Sequence, residues 1–421
     1  MPYSKKRSGI LAGLAIMALP SLIYAKDSLM IEGLSYIDKR PVEIQIRDGK
    51  IQRVRAKRRL SKTPETPLYI APGLIDNQVN GYASVSFGFG GGDLTVEGIR
   101  KATEALWKEG VTTYFPTLTT NRHDILLANF TTLAEAVKDP ELACSIPGYH
   151  LEGPYISPID GYRGAHPKQY VRLPDWEEFM AYYQAANGKI LQISVAPELD
   201  GAMEFIRRCR DTGIKVALAH HNGTAKIIKE AVDEGAIVAT HLGNGCANLI
   251  NRHDNPLWPQ LADDRLYASI ICDGFHLRPE EIQVFYKAKG VDRILITSDV
   301  TRFAGMTPGI YNTDDGKTIE LTPEGMIRYP AQKVLAGSAS PITKGVGHIM
   351  RVTGCSLKNA INMASLNQAR VYDLTDRGQL QPGKRADLIV FSIHDFALKI
   401  HQTYVAGKLV YSANEALPHD R

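Results

Sequence analysis

The sequence predicts an α/β fold: a (β/α)8 TIM-like barrel with a small β-sandwich domain built from both chain ends. Three observations carry this. Eight short apolar runs alternate with helical stretches over roughly 250 residues, the count of such a barrel. Two β-rich segments flank that alternation, one on each side. Four side chains able to do chemistry, Glu152, His220, His241 and Asp299, each stand at or just past the end of an apolar run. In parallel barrels, residues at the C-terminal ends of strands converge on one mouth, however distant they are in sequence.

Taken in order, residues 1–25 come first. Lys5-Lys6-Arg7 precede an apolar run from Gly9 to Ala25, broken by Pro20 and Ser21 and closed by Lys26-Asp27. A basic start, an apolar middle and a small residue at a polar boundary predict a signal peptide cleaved after Ala25, and an exported, periplasmic or secreted protein. An uncleaved membrane anchor is the alternative, but the run is short for a spanning helix.

Residues 26–65 form the first part of the β-sandwich. They hold Leu29-Met-Ile-Glu-Gly33, Val42-Glu-Ile-Gln-Ile46 and Ile51–Val54, with Asp48-Gly49 between the last two. Asp-Gly between alternating runs is a hairpin signal, because both central residues of a type I′ turn need positive φ. Residues 366–412 form the second part, with Gly383-Lys-Arg-Ala-Asp-Leu-Ile-Val-Phe391 and Thr403–Tyr411.

The intervening residues 66–365 make the barrel. Its predicted strands are Tyr69–Ile75, Thr112–Pro116, Gly148–Leu151, Leu191–Ala196, Lys215–Ala219, Ala236–Thr240, Tyr267–Cys272 and Arg293–Ser298. An open doubly wound sheet is the alternative, but no GxGxxG follows the first strand. The glycines from Gly88 to Gly92 lack the Lys-Ser/Thr of a phosphate loop. Turn signals at Asp314-Asp-Gly316 and Pro323-Glu-Gly325 predict a hairpin inserted within 305–333.

Composition excludes several classes of function. The net charge is +4; without Lys5, Lys6 and Arg7 it is about +1, so nucleic-acid binding has no electrostatic support. The five cysteines (144, 209, 246, 272 and 355) are scattered and contain no CxxC. They form no disulfide framework and read as mostly buried apolar residues.

The candidate chemistry is metal-dependent hydrolysis. Glu152 lies in His150-Leu-Glu-Gly-Pro154, at a strand tip. His220 closes Val216-Ala-Leu-Ala-His and His241 closes Ile237-Val-Ala-Thr-His, a spacing of 21 positions that fits one intervening helix. Taken singly, each is more often a solvated carboxylate or a structural imidazole. Together, two nitrogens and one oxygen leave a coordination position open for water, the pattern of a catalytic metal site. Asp299 ends Ile294-Leu-Ile-Thr-Ser-Asp; it reads as a helix N-cap alone, and as a general base beside the other three.

With these residues in place, the sequence resembles the N-acetylglucosamine-6-phosphate deacetylase family of the amidohydrolase superfamily. The matching motifs are Ala71-Pro-Gly-Leu-Ile-Asp-Asn-Gln-Val-Asn-Gly81, His150-Leu-Glu-Gly-Pro-Tyr-Ile156 and Gly164-Ala-His166. Thr240-His-Leu242 with Asn244, Asp273-Gly-Phe-His276, Ser298-Asp299, Leu335-Ala-Gly-Ser338, Asn362-Met-Ala-Ser365 and Gly383–Val390 continue the series. The resemblance implies one divalent ion, Zn²⁺, held by Glu152, His220 and His241. It implies that Gln78 and Asn80 occupy the place of the His-x-His of two-metal relatives, and that Asp299 is the base. His166 and His276 would contact the sugar and the scissile acetamide, with His276 also holding the oxyanion. Asn244 and Gly245 would line the substrate. Arg252 would reach the substrate phosphate of a neighbouring subunit, which implies a homodimer.

Departures from the family pattern fall in the loops. An aromatic-Asn-Ala-Met run is replaced by Gly243-Asn-Gly-Cys246, and Gly-His-Ser-Asn by Ala219-His-His-Asn222. Arg252-His-Asp-Asn-Pro-Leu-Trp258 is also unusual, and Trp258 reads as an aromatic wall for a sugar. The substrate expected is thus an N-acetylated amino sugar, phosphorylated or, given the export signal, unphosphorylated. Hydrolysis of another N-acyl or cyclic amide is one alternative, and a non-catalytic binding protein of the same fold is another.

Overall fold

The computed structural model describes residues 28–61, 65–88, 94–313, 316–330 and 334–413. The signal segment read at residues 1–25 lies outside them. Among the described residues no helix is long and apolar enough to cross a membrane.

Eight parallel strands form the barrel: Leu74–Val79, Val111–Thr119, Tyr149–Glu152, Ile190–Val195, Lys215–Leu218, Ala236–Ala239, Tyr267–Ile271 and Ile294–Thr297. Each pairs with the next in sequence order. The first and last meet through Asp299 N–H to Gln78 C=O (3.1 Å) and Asn80 N–H to Val300 C=O (2.8 Å), which close the cylinder. Helices between the strands bury one stripe against it. Ala225–Glu234 is typical: the Thr224 hydroxyl accepts from the N–H of Ile227, and Ile228, Ala231 and Val232 face inward. Gly235 ends the helix at φ 128°, where a side chain would be strained. This helix is the connection between the strands that carry His220 and His241.

The first predicted strand, Tyr69–Ile75, is two strands. Tyr69–Pro72 joins the small sheet, and Leu74–Val79 starts the barrel. The chain changes sheets at Pro72-Gly73, where the proline has no N–H to continue a ladder. A Cβ on Gly73 would lie 2.1 Å from Thr112 Oγ1, so only glycine permits this approach. The barrel strand runs on through Asp76-Asn77-Gln78, all buried, whose polarity hid it from a reading based on apolar runs.

The small domain is one mixed sheet of seven strands from both chain ends. Its order is Lys408–Ser412, Ala397–Val405, Leu388–His394, Tyr69–Pro72, Leu29–Ser35, Pro41–Arg47 and Lys50–Ala56. The Asp48-Gly49 hairpin pairs Arg47 with Lys50. Ile31, Ile44, Ile46, Ile51, Leu388 and Val390 are the heart of its core. Trp107 packs with Val405 and Val410 to fasten the sheet to the barrel, and Thr403 donates to the Trp107 carbonyl at 2.7 Å.

The insertion after the last barrel strand is more than the expected hairpin. Gly309–Asn312, Thr318–Leu321, Met326–Tyr329 and Val334–Ser338 form a four-stranded antiparallel meander. Ser338 also bridges to Val300, tying the meander to the end of the last barrel strand. Turn residues disclosed two of its turns; the fourth strand, around a glycine, carried no strand pattern.

Candidate active site

The site stands at the C-terminal ends of the barrel strands. Glu152 is the last residue of its strand, while His220, His241 and Asp299 each come two residues after theirs. These three have φ of 49°, 30° and 50°, in the left-handed region. Such conformations cost about 1–3 kcal/mol each in a residue with a side chain, and they persist where the surrounding packing enforces them. Here the turn directs each side chain to the barrel mouth.

Glu152 Oε1 lies 2.9 Å from His241 Nε2 and 3.3 Å from His220 Nε2, with all three side chains buried. Their donor atoms fall within 4.8 Å of one another. Burial pushes the Glu152 carboxyl up, but the hydrogen bonds from His220 and His241 outweigh it and hold the group well below the usual range. His220 Nδ1 is 2.9 Å from the Tyr162 carbonyl, which can only accept, so Nδ1 carries a proton; release of the Nε2 proton that meets Glu152 would leave a lone pair there for a cation. One carboxylate oxygen and two inward imidazole nitrogens fit a divalent cation.

Asp299 is half-buried next to this group. The Asn80 amide donates to its Oδ1 at 2.7 Å. Burial, reinforced by the Glu152 charge, pushes its carboxyl up to about 7. A cation bound at the cluster would favour the ionised form that a base requires. Gln78 is fully buried, and neither atom of its amide has a protein partner; Asn80 Oδ1 is likewise unpartnered.

His166 joins the site from the loop after Glu152. Its Nδ1 is 2.8 Å from Thr120 Oγ1 and its Nε2 is 3.2 Å from His220 Nε2. Burial lowers its pKa to about 3, so the ring is neutral. His276 follows the seventh strand, with Nδ1 2.8 Å from Asp273 Oδ2. Gly245 lies directly on the histidines: a Cβ there would sit 3.0 Å from His220 N and 3.1 Å from His241 Cε1. Asn244 Nδ2 is buried beside it without a protein partner. His221, the departure next to His220, is buried and accepts from Gly223 N–H at 3.2 Å. Burial lowers its pKa to about 4, so it adds no charge. It lines a small pocket with Gly243, Gly245, Cys246 and Gln260.

Arg252 is not brought to this cluster within the chain. It is exposed on the loop after Gly245, its carbonyl accepting from Trp258 Nε1 at 2.9 Å. Trp258 is 52% exposed and Leu249 93% exposed on the same stretch.

Two carboxylates escaped assignment from sequence. Asp76 Oδ1 accepts from Thr297 Oγ1 (3.0 Å), Ser298 N (3.2 Å) and Gln78 N (3.4 Å), clasping the first strand to the last. Asp273 holds His276. Both lie inside motifs read in the sequence, Ala71–Gly81 and Asp273–His276, and that position was the signal available for them.

Residues 69–410 match the family described as Amidohydrolase family. The chain belongs to the amidohydrolase family. Among its relatives, this amidohydrolase is 29% identical over 403 residues to the N-acetylglucosamine-6-phosphate deacetylase of Bacillus subtilis (strain 168), covering 93% of this chain and 99% of the relative. It is 32% identical to the N-acetylglucosamine-6-phosphate deacetylase of Mus musculus, covering 83% and 85%. Among solved structures, it is similar to a single-residue variant of the N-acetyl-D-glucosamine-6-phosphate deacetylase from Mycobacterium smegmatis, in complex with N-acetyl-D-glucosamine-6-phosphate. That similarity has a TM-score of 0.79 at 26% identity, over 88% of this chain and 95% of that one.

Proposed function

We propose that this amidohydrolase removes the acetyl group from N-acetylglucosamine 6-phosphate or a close N-acetylated amino sugar, giving the amine and acetate. The observation that carries the reading is the buried Glu152–His220–His241 cluster with Asp299 beside it. The relatives' names supply the substrate class. The N₂O donor set favours a single Zn²⁺, since Gln78 and Asn80 offer only neutral amides, which are poor ligands for a transition metal.

Glu152, His220 and His241 would hold the zinc ion, which when bound would supply Lewis acidity and favour water as a nucleophile near neutral pH. Asp299, fixed by Asn80, removes the proton from the attacking water and delivers it to the departing amine. His276 donates to the oxygen that gains negative charge at the acyl carbon. His166, Asn244 and Gly245 line the sugar. Arg252, on its exposed loop, would contact the substrate phosphate of a second subunit, which requires a homodimer.

The export signal expected from the sequence at residues 1–25 favours a second reading, in which the sugar is unphosphorylated. Acetate release by the Zn²⁺-loaded protein, lacking residues 1–25, separates the two. Strong preference for N-acetylglucosamine 6-phosphate over N-acetylglucosamine supports the phosphorylated substrate. The reverse preference supports the second reading, and no release from either would overturn both.

A further inference from the structure

His276 is held more completely than a substrate contact alone requires. Asp273, 4% exposed, accepts three hydrogen bonds from the turn that carries the histidine. Its Oδ1 takes the N–H of Phe275 at 2.8 Å and that of His276 at 3.0 Å, and its Oδ2 meets His276 Nδ1 at 2.8 Å. Backbone and ring of His276 are therefore tied to one carboxylate. Nδ1 is engaged, so Nε2 is the ring atom left to act, and His276 lies within electrostatic reach of Asp299.

Behind Asp273 stands the helix Ile342–Thr353. Its Lys344 places Nζ 3.9 Å from the centre of the Phe275 ring and donates to the Glu324 carbonyl at 2.6 Å. Its His348 ring packs on Gly274, with Cε1 3.1 Å from where a Cβ would be. The fields of Asp273 and these two side chains reach one another. Lys344, and His348 when protonated, favour an ionised Asp273 from the outer side, as His276 does from the inner side. Asp299, His276, Asp273 and Lys344 thus stand in file from the reacting centre to the outer helix, each within electrostatic reach of the next.

We propose that Asp273 is a positioning residue that fixes His276 with Nδ1–H on its carboxylate and Nε2 presented to the substrate's acyl oxygen. The inference rests on the deacetylase reading for the acyl group, but not for the hold on the ring. An anionic partner at Nδ1 lets the ring carry both protons, and Nε2–H can then donate to the oxygen as negative charge develops there. The hydrogen bonds of Asp273 go to the turn that carries His276.

The test uses the Zn²⁺-loaded protein and Asp273→Asn, alone and combined with His276→Asn. Asp273→Asn is expected to lower kcat about 100-fold, the scale of one lost oxyanion donor, with KM changed less than about threefold. In the His276→Asn background the same change should cost nothing further, because Asp273 acts only through the ring. Equal losses in both backgrounds, or a kcat drop below about threefold, would overturn the proposal. Nitrogen-15 NMR of the histidine rings, with His276 identified by its disappearance in His276→Asn, reads the hold without turnover. A protonated Nδ1 in the parent that is lost in Asp273→Asn is expected; unchanged ring signals would refute the hold. If the parent releases no acetate while the ring signals respond, the deacetylase reading has failed and the assignment of Asp273 to the ring survives.

Discussion

As the proposed base, Asp299 would have to do two incompatible things: sit largely out of water, and carry a negative charge. The Asn80 amide at 2.7 Å is the protein's own compensation, and a neighbouring cation would complete it. Asp299→Asn is expected to retain zinc, measured by elemental analysis, while kcat falls about 10³-fold, within the range of a lost general base. Turnover near the parent's would show that another base operates. His241→Ala removes one of three donors, so the purified protein should lose its metal and its activity together. Glu152, His220, His241 and Asp299 could be read from sequence because each ends or closely follows an apolar run, where a charged or imidazole side chain is conspicuous. Asp76 and Asp273 could not be assigned roles, since their meaning lies in hydrogen bonds to Ser298 and His276 that no spacing discloses. Asn80 was read as occupying the place of a histidine of two-metal relatives, and the structure adds that its amide holds the carboxylate of Asp299.

The helix Ala225–Glu234 sets the separation of the strands that carry His220 and His241. Its N-terminus depends on the Thr224 hydroxyl. Thr224→Ala should lower stability by about 1 kcal/mol, as loss of an N-cap does. The unfolding midpoint would report this, with acetate release at 25 °C unchanged. A large loss of activity without a loss of stability would mean that the cap positions the histidines directly. Elements of this kind were legible because they alternate regularly with apolar runs. Legibility failed where strands were short or polar, at Leu74–Val79 with its Asp-Asn-Gln and in the meander ending at Ser338. Burial there is decided by tertiary pairing, which apolar periodicity does not record.

The barrel as a whole is closed by few bonds, and Asp76 is central to them. Burial pushes its carboxyl up from 3.8 to about 6, so the folded protein holds this proton more tightly than the unfolded chain. The associated stability is fully present below about pH 4 and is lost as pH rises through 6, about 3 kcal/mol at 1.4 per pH unit. Asp76→Asn lacks this dependence. Its free energy of unfolding relative to the parent's should therefore rise, toward greater stability, by about that amount between pH 4 and 7, as denaturant titrations would show. A constant difference across that range would mean that Asp76 titrates normally.

One of the two bonds that seal the cylinder, Asp299 N–H to Gln78 C=O, is donated by the residue proposed as the base. Opening of that seam and misplacement of the base are then one event. Deuterium uptake at the Asp299 amide consequently counts the molecules that are momentarily incompetent. A solvent or temperature that speeds this exchange should lower the active fraction in the same proportion, well before the fold as a whole gives way.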